Sequence, residues 1–354
     1  MLWRYELKKS LFTHRGIWII LICILLKMLF LMFFPELKDS RIKLSQKQYD
    51  KYLEQLYGVN TSEKSSWILA EYENAKLIIE QRNSMQERYS LGEISEEEWL
   101  IYVETLNQAF ISQNALTIFK EKTEQFAAQS VDVAPAHYIY EYGWNTVYTL
   151  MRFPDIFLLL GLLIIAAQSF ASESNSGMLP ILLAARNGRH HLFVAKLVSL
   201  LSISIFAALL SGGLEFMVIV LRGWCNDGKA PLYSISAMRN CTLELSLMNG
   251  YLRCLITRSL TAILYAILSY SLSVWLKETA NLCFVGVCII VLPMLWNGNA
   301  MLYTHSGLLR GSYWLRGLAT TGVWVHLPLF VVAIYSVIFL SLAGKQYVKG
   351  LADH

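Results

Sequence analysis

Charge is scarce in this chain. Only 16% of its 354 residues are charged while 55% are hydrophobic, and the mean hydropathy is +0.42. Soluble globular proteins carry about 25% charged residues. The shortage excludes a disordered chain and an ordinary cytosolic enzyme, and it points to a membrane protein. Chemical signatures are missing as well. No GxxxxGK followed by Ser or Thr occurs, which excludes ATP binding through a phosphate loop. Neither an HExxH pair nor a nucleophile elbow occurs, so no catalytic residues are assigned. His190 and His191 lack companion ligands and read as a solvated polar turn, not a metal site. Basic residues are scattered, without the dense patch a nucleic acid would need. The six cysteines form no CxxC pair and read as small apolar thiols. Cys225 and Cys241 are the two placed to meet outside the membrane, and their spacing leaves a disulfide open.

The charge that is present is unevenly divided. Residues 36–150 hold 11 Lys and Arg against 18 Asp and Glu, a net −7, and the remainder holds 19 against 8, a net +11. An acidic, water-facing segment therefore interrupts an apolar chain with basic fringes. Six apolar runs predict transmembrane helices: Gly16–Phe34, Pro154–Ser172, Leu192–Leu221, Cys254–Leu276, Leu282–Trp296 and Val323–Ala343. The first run is too long for a signal peptide, and no small-x-small cleavage site follows it, so it reads as an uncleaved anchor. Residues 1–15 set Trp3, Leu7, Leu11 and Phe12 against Arg4, Lys8, Lys9 and Arg15, the pattern of an amphipathic surface helix. Basic residues favour the face of the two termini by ten to seven. The N-terminal cluster decides the orientation, which places both termini in the cytosol and residues 36–150 outside.

The expected fold class is thus all-α, a polytopic membrane protein. Residues 1–15 form a cytosolic connecting helix, 16–35 the first span, 36–150 an extracellular helical domain, and 151–354 a five-helix transmembrane region. Inside the outer domain, Tyr49, Tyr52, Leu53 and Leu56 suit a helix ended by Gly58. Thr61 or Ser62 caps a second arm that runs to Leu91-Gly92. Ser95 and Glu98 make a capping box for a third. The last two arms predict an antiparallel hairpin that serves as spacer, lid or partner surface. The aromatic run Tyr138–Trp144 is expected to seat this domain on the membrane interface.

Two ionisable residues, Lys27 and Glu215, fall inside spans and are candidate functional or translocation-path residues. Counting about 1.5 Å per residue, Lys27 lies roughly 16 Å beyond Gly16 and Glu215 roughly 28 Å beyond Lys196. The mismatch predicts that they do not pair directly and that each faces an aqueous cavity or an interface.

The most informative stretch is Phe170–Lys196, FASESNSGMLPILLAARNGRHHLFVAK. Small and polar residues end the second span, Gly177 breaks the helix, and MLPILLAA makes a short in-plane apolar helix. Arg186 to Arg189 makes a basic turn. A short helix of this kind suits a groove on a soluble partner. Phe170, Ala171, Glu173, Gly177, Leu179, Leu182, Leu183, Arg186 or Arg189, and Lys196 resemble the pattern found in the membrane permease of type-two ATP-binding-cassette exporters. The layout is similar too: a surface helix, six spans, a large outer domain after the first, a broken region at Gly298–Gly322, and a shorter cytosolic loop at LKETAN. The outer domain resembles those of Gram-positive bacterial permeases in peptide-antibiotic or bacteriocin settings.

The resemblance implies a multi-pass subunit in a bacterial plasma membrane that exports a peptide, lipid or drug-like molecule, or clears it from the membrane. Two permease chains, identical or related, would pair. Two cytosolic ATPase chains would dock on the 170–191 loop, with ATP and Mg on those partners and no cofactor here. Glu173 would hold the loop against the second span, while Arg186 and Arg189 would meet the ATPase or lipid phosphate. The other reading is a non-transporting membrane sensor or immunity protein whose outer helices bind a ligand.

Overall fold

The computed structural model describes residues 2–128, 135–175, 188–239, 241, 243–276, 278–295, 303–311, 315 and 326–349, with side chains at 170–175, 188–189 and 348–349 excepted. It is nearly all helical, about 82%. Two compact units emerge: a membrane unit of Met1–Pro35, Val147–Trp224 and Gly250–His354, and a helical unit of Glu36–Thr146 and Cys225–Asn249. The stretch 225–249 thus joins the acidic segment in one body.

In the membrane unit, α1 (Leu2–Lys8) runs through a π-helical turn (Lys9–Thr13) into α2 (Gly16–Phe33). The corner needs two special residues. Arg15 takes a left-handed conformation with φ 56°. A Cβ on Gly16 would stand 2.5 Å from the Ser10 carbonyl oxygen, so only glycine fits. The expected apolar stripe of the first helix divides. Leu7 and Leu11 pack on the core, whereas Trp3 and Phe12 stay exposed, and the buried face also takes Glu6 and Ser10. Then follow α8 (Ile156–Asn175), α9 (Gly188–Leu221), α10 (Leu247–Trp275), α11 (Thr279–Leu295), the short α12 (His305–Leu308) and α13 (His326–Lys349). Among the described residues, four helices are long and apolar enough to cross a membrane: Gly16–Phe33, His190–Leu221, Leu247–Trp275 and His326–Tyr347. The apolar stretches Ile156–Ser169 and Thr279–Leu295 are shorter. Close approach of α8 and α11 depends on Gly286, where a Cβ would come within 2.3 Å of Leu163.

The helical unit holds α3 (Ser40–Leu56), β1 (Gly58–Val59), α4 (Ser62–Glu80), α5 (Arg82–Ser90), α6 (Glu96–Ala127) and β2 (His137–Tyr138), with α7 spanning Tyr142–Leu150. Asp39 caps α3 by accepting the Arg41 amide, and Thr61 caps α4. Both halves of the Ser95–Glu98 capping box form. Gly58, at φ 94°, ends the first arm as the sequence predicts. The core stacks Tyr49 on Phe119 and gathers Ile42, Leu56, Ile68, Leu116 and Phe126 around them. Tyr138, Tyr142 and Trp144 are buried inside this unit. The aromatic run is therefore core and not the membrane seat expected from sequence. Trp144 donates its indole N–H to the Asn226 carbonyl, which gives the buried polar edge of the ring a partner.

Candidate functional site

Four charged side chains meet in the membrane unit. Lys27 projects from α2, and Ser211 and Glu215 lie one turn apart on α9. Arg258 comes from α10, and Asp155 caps the start of α8 by accepting the Leu158 amide at 3.2 Å. The Lys27 ammonium lies 2.6 Å from Asp155 Oδ2 and 2.6 Å from Glu215 Oε2. It also donates to Ser211 Oγ at 2.8 Å, and that hydroxyl donates on to Asp155 at 3.0 Å. Arg258 Nη1 spans both oxygens of Glu215 at 3.0 and 2.9 Å, and its Nη2 lies 3.3 Å from Asp155. Every member of the group is buried. Two cations and two anions close a neutral ring in which each charge touches both charges of opposite sign. A cavity of about 60 Å³ beside Lys27, Asp155 and Arg258, bordered by Gly212 and Gly213, leaves room for water.

This overturns the expectation that Lys27 and Glu215 stand apart. The two depths were counted from different heights. Helix α9 already starts at Gly188, and Lys196 sits level with Glu6 of α1, upstream of Gly16, so neither reference residue marks a common plane. Asp155 and Arg258 escaped the sequence reading because each lies near the end of a predicted span and passes for a flanking charge. A readable signal existed for both. Arg258 lies within Cys254–Leu276, and a Pro-Asp pair followed by an apolar run marks a helix start.

Lys196 forms a second buried node. Its ammonium lies 3.3 Å from the Glu6 carboxylate and donates to the Ser169 carbonyl at 2.7 Å. One side chain at the root of α9 thereby clamps α1 and the far part of α8. Nearby, Tyr270 donates to the Phe193 carbonyl at 2.6 Å, and the Phe193 ring packs on Tyr270 and Tyr347, linking α9, α10 and α13. Of the other predicted loop residues, Gly177, Leu179, Leu182, Leu183 and Arg186 lie outside the described residues, and the side chains of Glu173 and Arg189 are not described. His190 and His191 are exposed on the first turn of α9. All six cysteines are free thiols. Among the described residues no group of three or more His, Cys, Asp or Glu could hold a metal ion. The charge ring can hold four elements in register and exchange partners if they move. Compared with protein-family models, curated proteins and solved structures, the chain matches none.

Proposed function

We propose that the chain is the six-span permease subunit of an exporter in a bacterial plasma membrane, driven by ATPase chains that dock on its 170–191 loop. Both termini lie in the cytosol and the helical unit lies outside. A second permease chain completes the path, and ATP and Mg stay on the ATPases. The observation that carries the reading is the Lys196 clamp. A segment that receives a push must pass it to several elements together. Lys196 binds the roots of both helices flanking the segment and the N-terminal helix into one piece. The neutral charge ring supports the same reading, because ionisable groups inside apolar spans are kept where function requires them. The cargo is a peptide, a lipid or a drug-like molecule.

The test is co-expression with an ATPase encoded nearby. The expected result is a stable complex whose ATPase activity rises in the presence of the permease. Gly177→Pro, and Glu173→Ala combined with Arg189→Glu, should abolish that rise while membrane insertion persists. ATPase stimulation unchanged in both variants removes the docking assignment. A non-transporting sensor or immunity protein is the second reading, favoured by a ligand-sized hollow in the helical unit. Failure to capture any ATPase, with ligand binding retained, would select it.

A further inference from the structure

The two short strands of the helical unit form an antiparallel ribbon in which Gly58 faces Tyr138 and Val59 faces His137. Side chains alternate across such a ribbon. One face sends Tyr138 into the core, where it is fully buried. The other face carries Tyr57, Val59, His137 and Ile139. Opposite it runs the loop 227–230, so that a hollow of about 500 Å³ lies between them. That is the volume of a small-ligand site. The loop is held firmly from behind. The Leu247 amide donates to the Ala230 carbonyl at 2.8 Å and the Met248 amide to the Gly228 carbonyl at 2.9 Å. Asp227, which the loop presents to the hollow, takes φ 60°, a conformation uncommon outside glycine.

The charges at this hollow are unfinished. Asp227 accepts the Tyr57 hydroxyl, yet no Lys, Arg or His comes within ion-pair range of it among the described residues. Burial pushes its carboxyl above the usual range, as expected for a carboxylate without a counter-charge. Lys64 is spent. Its ammonium donates to the carbonyls of Leu56, Tyr57 and Val59 at 2.8, 2.8 and 3.1 Å, which uses its three protons. His137 is held towards its neutral form by burial and by Lys64. Lys229 stands exposed on the rim. Tyr57, 54% exposed, offers an aromatic face beside the carboxylate. Past Tyr57 a second hollow of about 430 Å³, lined by Asp50, Leu53 and Glu54, continues the groove.

We propose that this ribbon-face groove binds an alkyl-ammonium or alkyl-guanidinium group, its head on Asp227 beside the Tyr57 ring and its stem along Val59. A carboxylate and an aromatic face together suit such a cation. The head group belongs either to a small amine or to a basic side chain of a peptide, and the length of the double hollow favours the peptide. The proposal stands whether or not an ATPase drives the chain.

The test uses the full purified chain in maltoside detergent and titration calorimetry. The probes are amidated Leu-Lys-Leu, its norleucine and glutamate counterparts, and n-butylamine. Leu-Lys-Leu should bind at least tenfold more tightly than the norleucine peptide, and the glutamate peptide should not bind. Asp227→Asn should erase the preference. Asp227→Gly, which suits a positive φ, should erase it too, so a folding defect in one variant cannot decide the matter. Lys229→Gln should keep the preference. Displacement of Leu-Lys-Leu by n-butylamine would assign recognition to the head group alone, and no displacement would assign it to the peptide frame; either supports the site. Equal binding of lysine and norleucine peptides, an undiminished preference in both Asp227 variants, or no binding at millimolar probe overturns it.

Discussion

The two units treat charge in opposite ways. In the membrane unit, four buried ionic groups pair two against two, and the Lys196 node adds one cation against one anion. In the helical unit most ionic groups are exposed and acidic groups outnumber basic ones. The clearest cluster there is Arg41 between Asp39 and Glu121, with 29–48% of each side chain exposed. The cause is the solvent. In a low-dielectric layer an unpaired charge is very costly, so stoichiometry is enforced residue by residue. In water an exposed pair contributes little, so sequence is free to drift towards a net field that acts on ligands.

The largest effect that would break this contrast lies at Arg258. Arg258→Leu leaves two carboxylates against one ammonium and should destabilise the membrane unit by about 3–5 kcal/mol. Arg258→Leu with Glu215→Leu leaves a neutral Lys27–Asp155 pair and should recover most of that loss. Thermal unfolding in detergent reads both, and a single variant as stable as its double would mean that the ring is solvated. A sharper comparison is the buried pair of the helical unit, Lys122 and Glu141. They lie 3.2 Å apart but out of hydrogen-bond alignment, and Glu141 keeps the Ser236 amide at 2.8 Å. Lys122→Met should therefore cost less, about 2 kcal/mol. A loss as large as that for Arg258→Leu would show that burial alone, and not the membrane layer, sets the cost.

Smaller still is Arg41→Ala. Its exposed partners limit the cost to about 1 kcal/mol or less, and the difference from wild type should shrink with added salt. The Arg41 guanidinium holds the Asp39 and Glu121 carboxyls below their usual range. Their stabilisation is complete above the unfolded carboxylate pKa and fades as pH falls through the lower folded values. The smallest effect belongs to His137, whose folded pKa burial depresses. The unfolded chain takes up that proton first, so stability should fall as pH drops below about 6.5. His137→Gln should flatten that part of the unfolding profile, and an unchanged slope would place the imidazole in free water.

Much of this architecture was legible in the sequence because it is local. The capping box at Ser95, the stop at Gly58 and the apolar runs each depend on residues a few positions apart, although the helix of the fourth run starts at Leu247, seven positions before Cys254, and that of the sixth runs on to Lys349. What escaped was long-range. Asp155 and Arg258 are separated by about a hundred positions, and no spacing rule joins them. The ribbon of β1 and β2 has two residues per strand, too few for an alternation signal. The stretch 225–249 packs with residues far upstream through Trp144 and Tyr233, whose rings by themselves suggest an interface as readily as a core. The docking assignment was legible only as a motif, because the middle of the segment, 176–187, lies outside the described residues.

The four-residue ring also bears on bioenergetics. Electrical work across a bilayer scales with the net charge displaced, about 2.3 kcal/mol per elementary charge for each 100 mV. Lys27, Arg258, Asp155 and Glu215 sum to zero. A rocking step that carried them together through the field would neither draw on the cell's voltage nor be opposed by it.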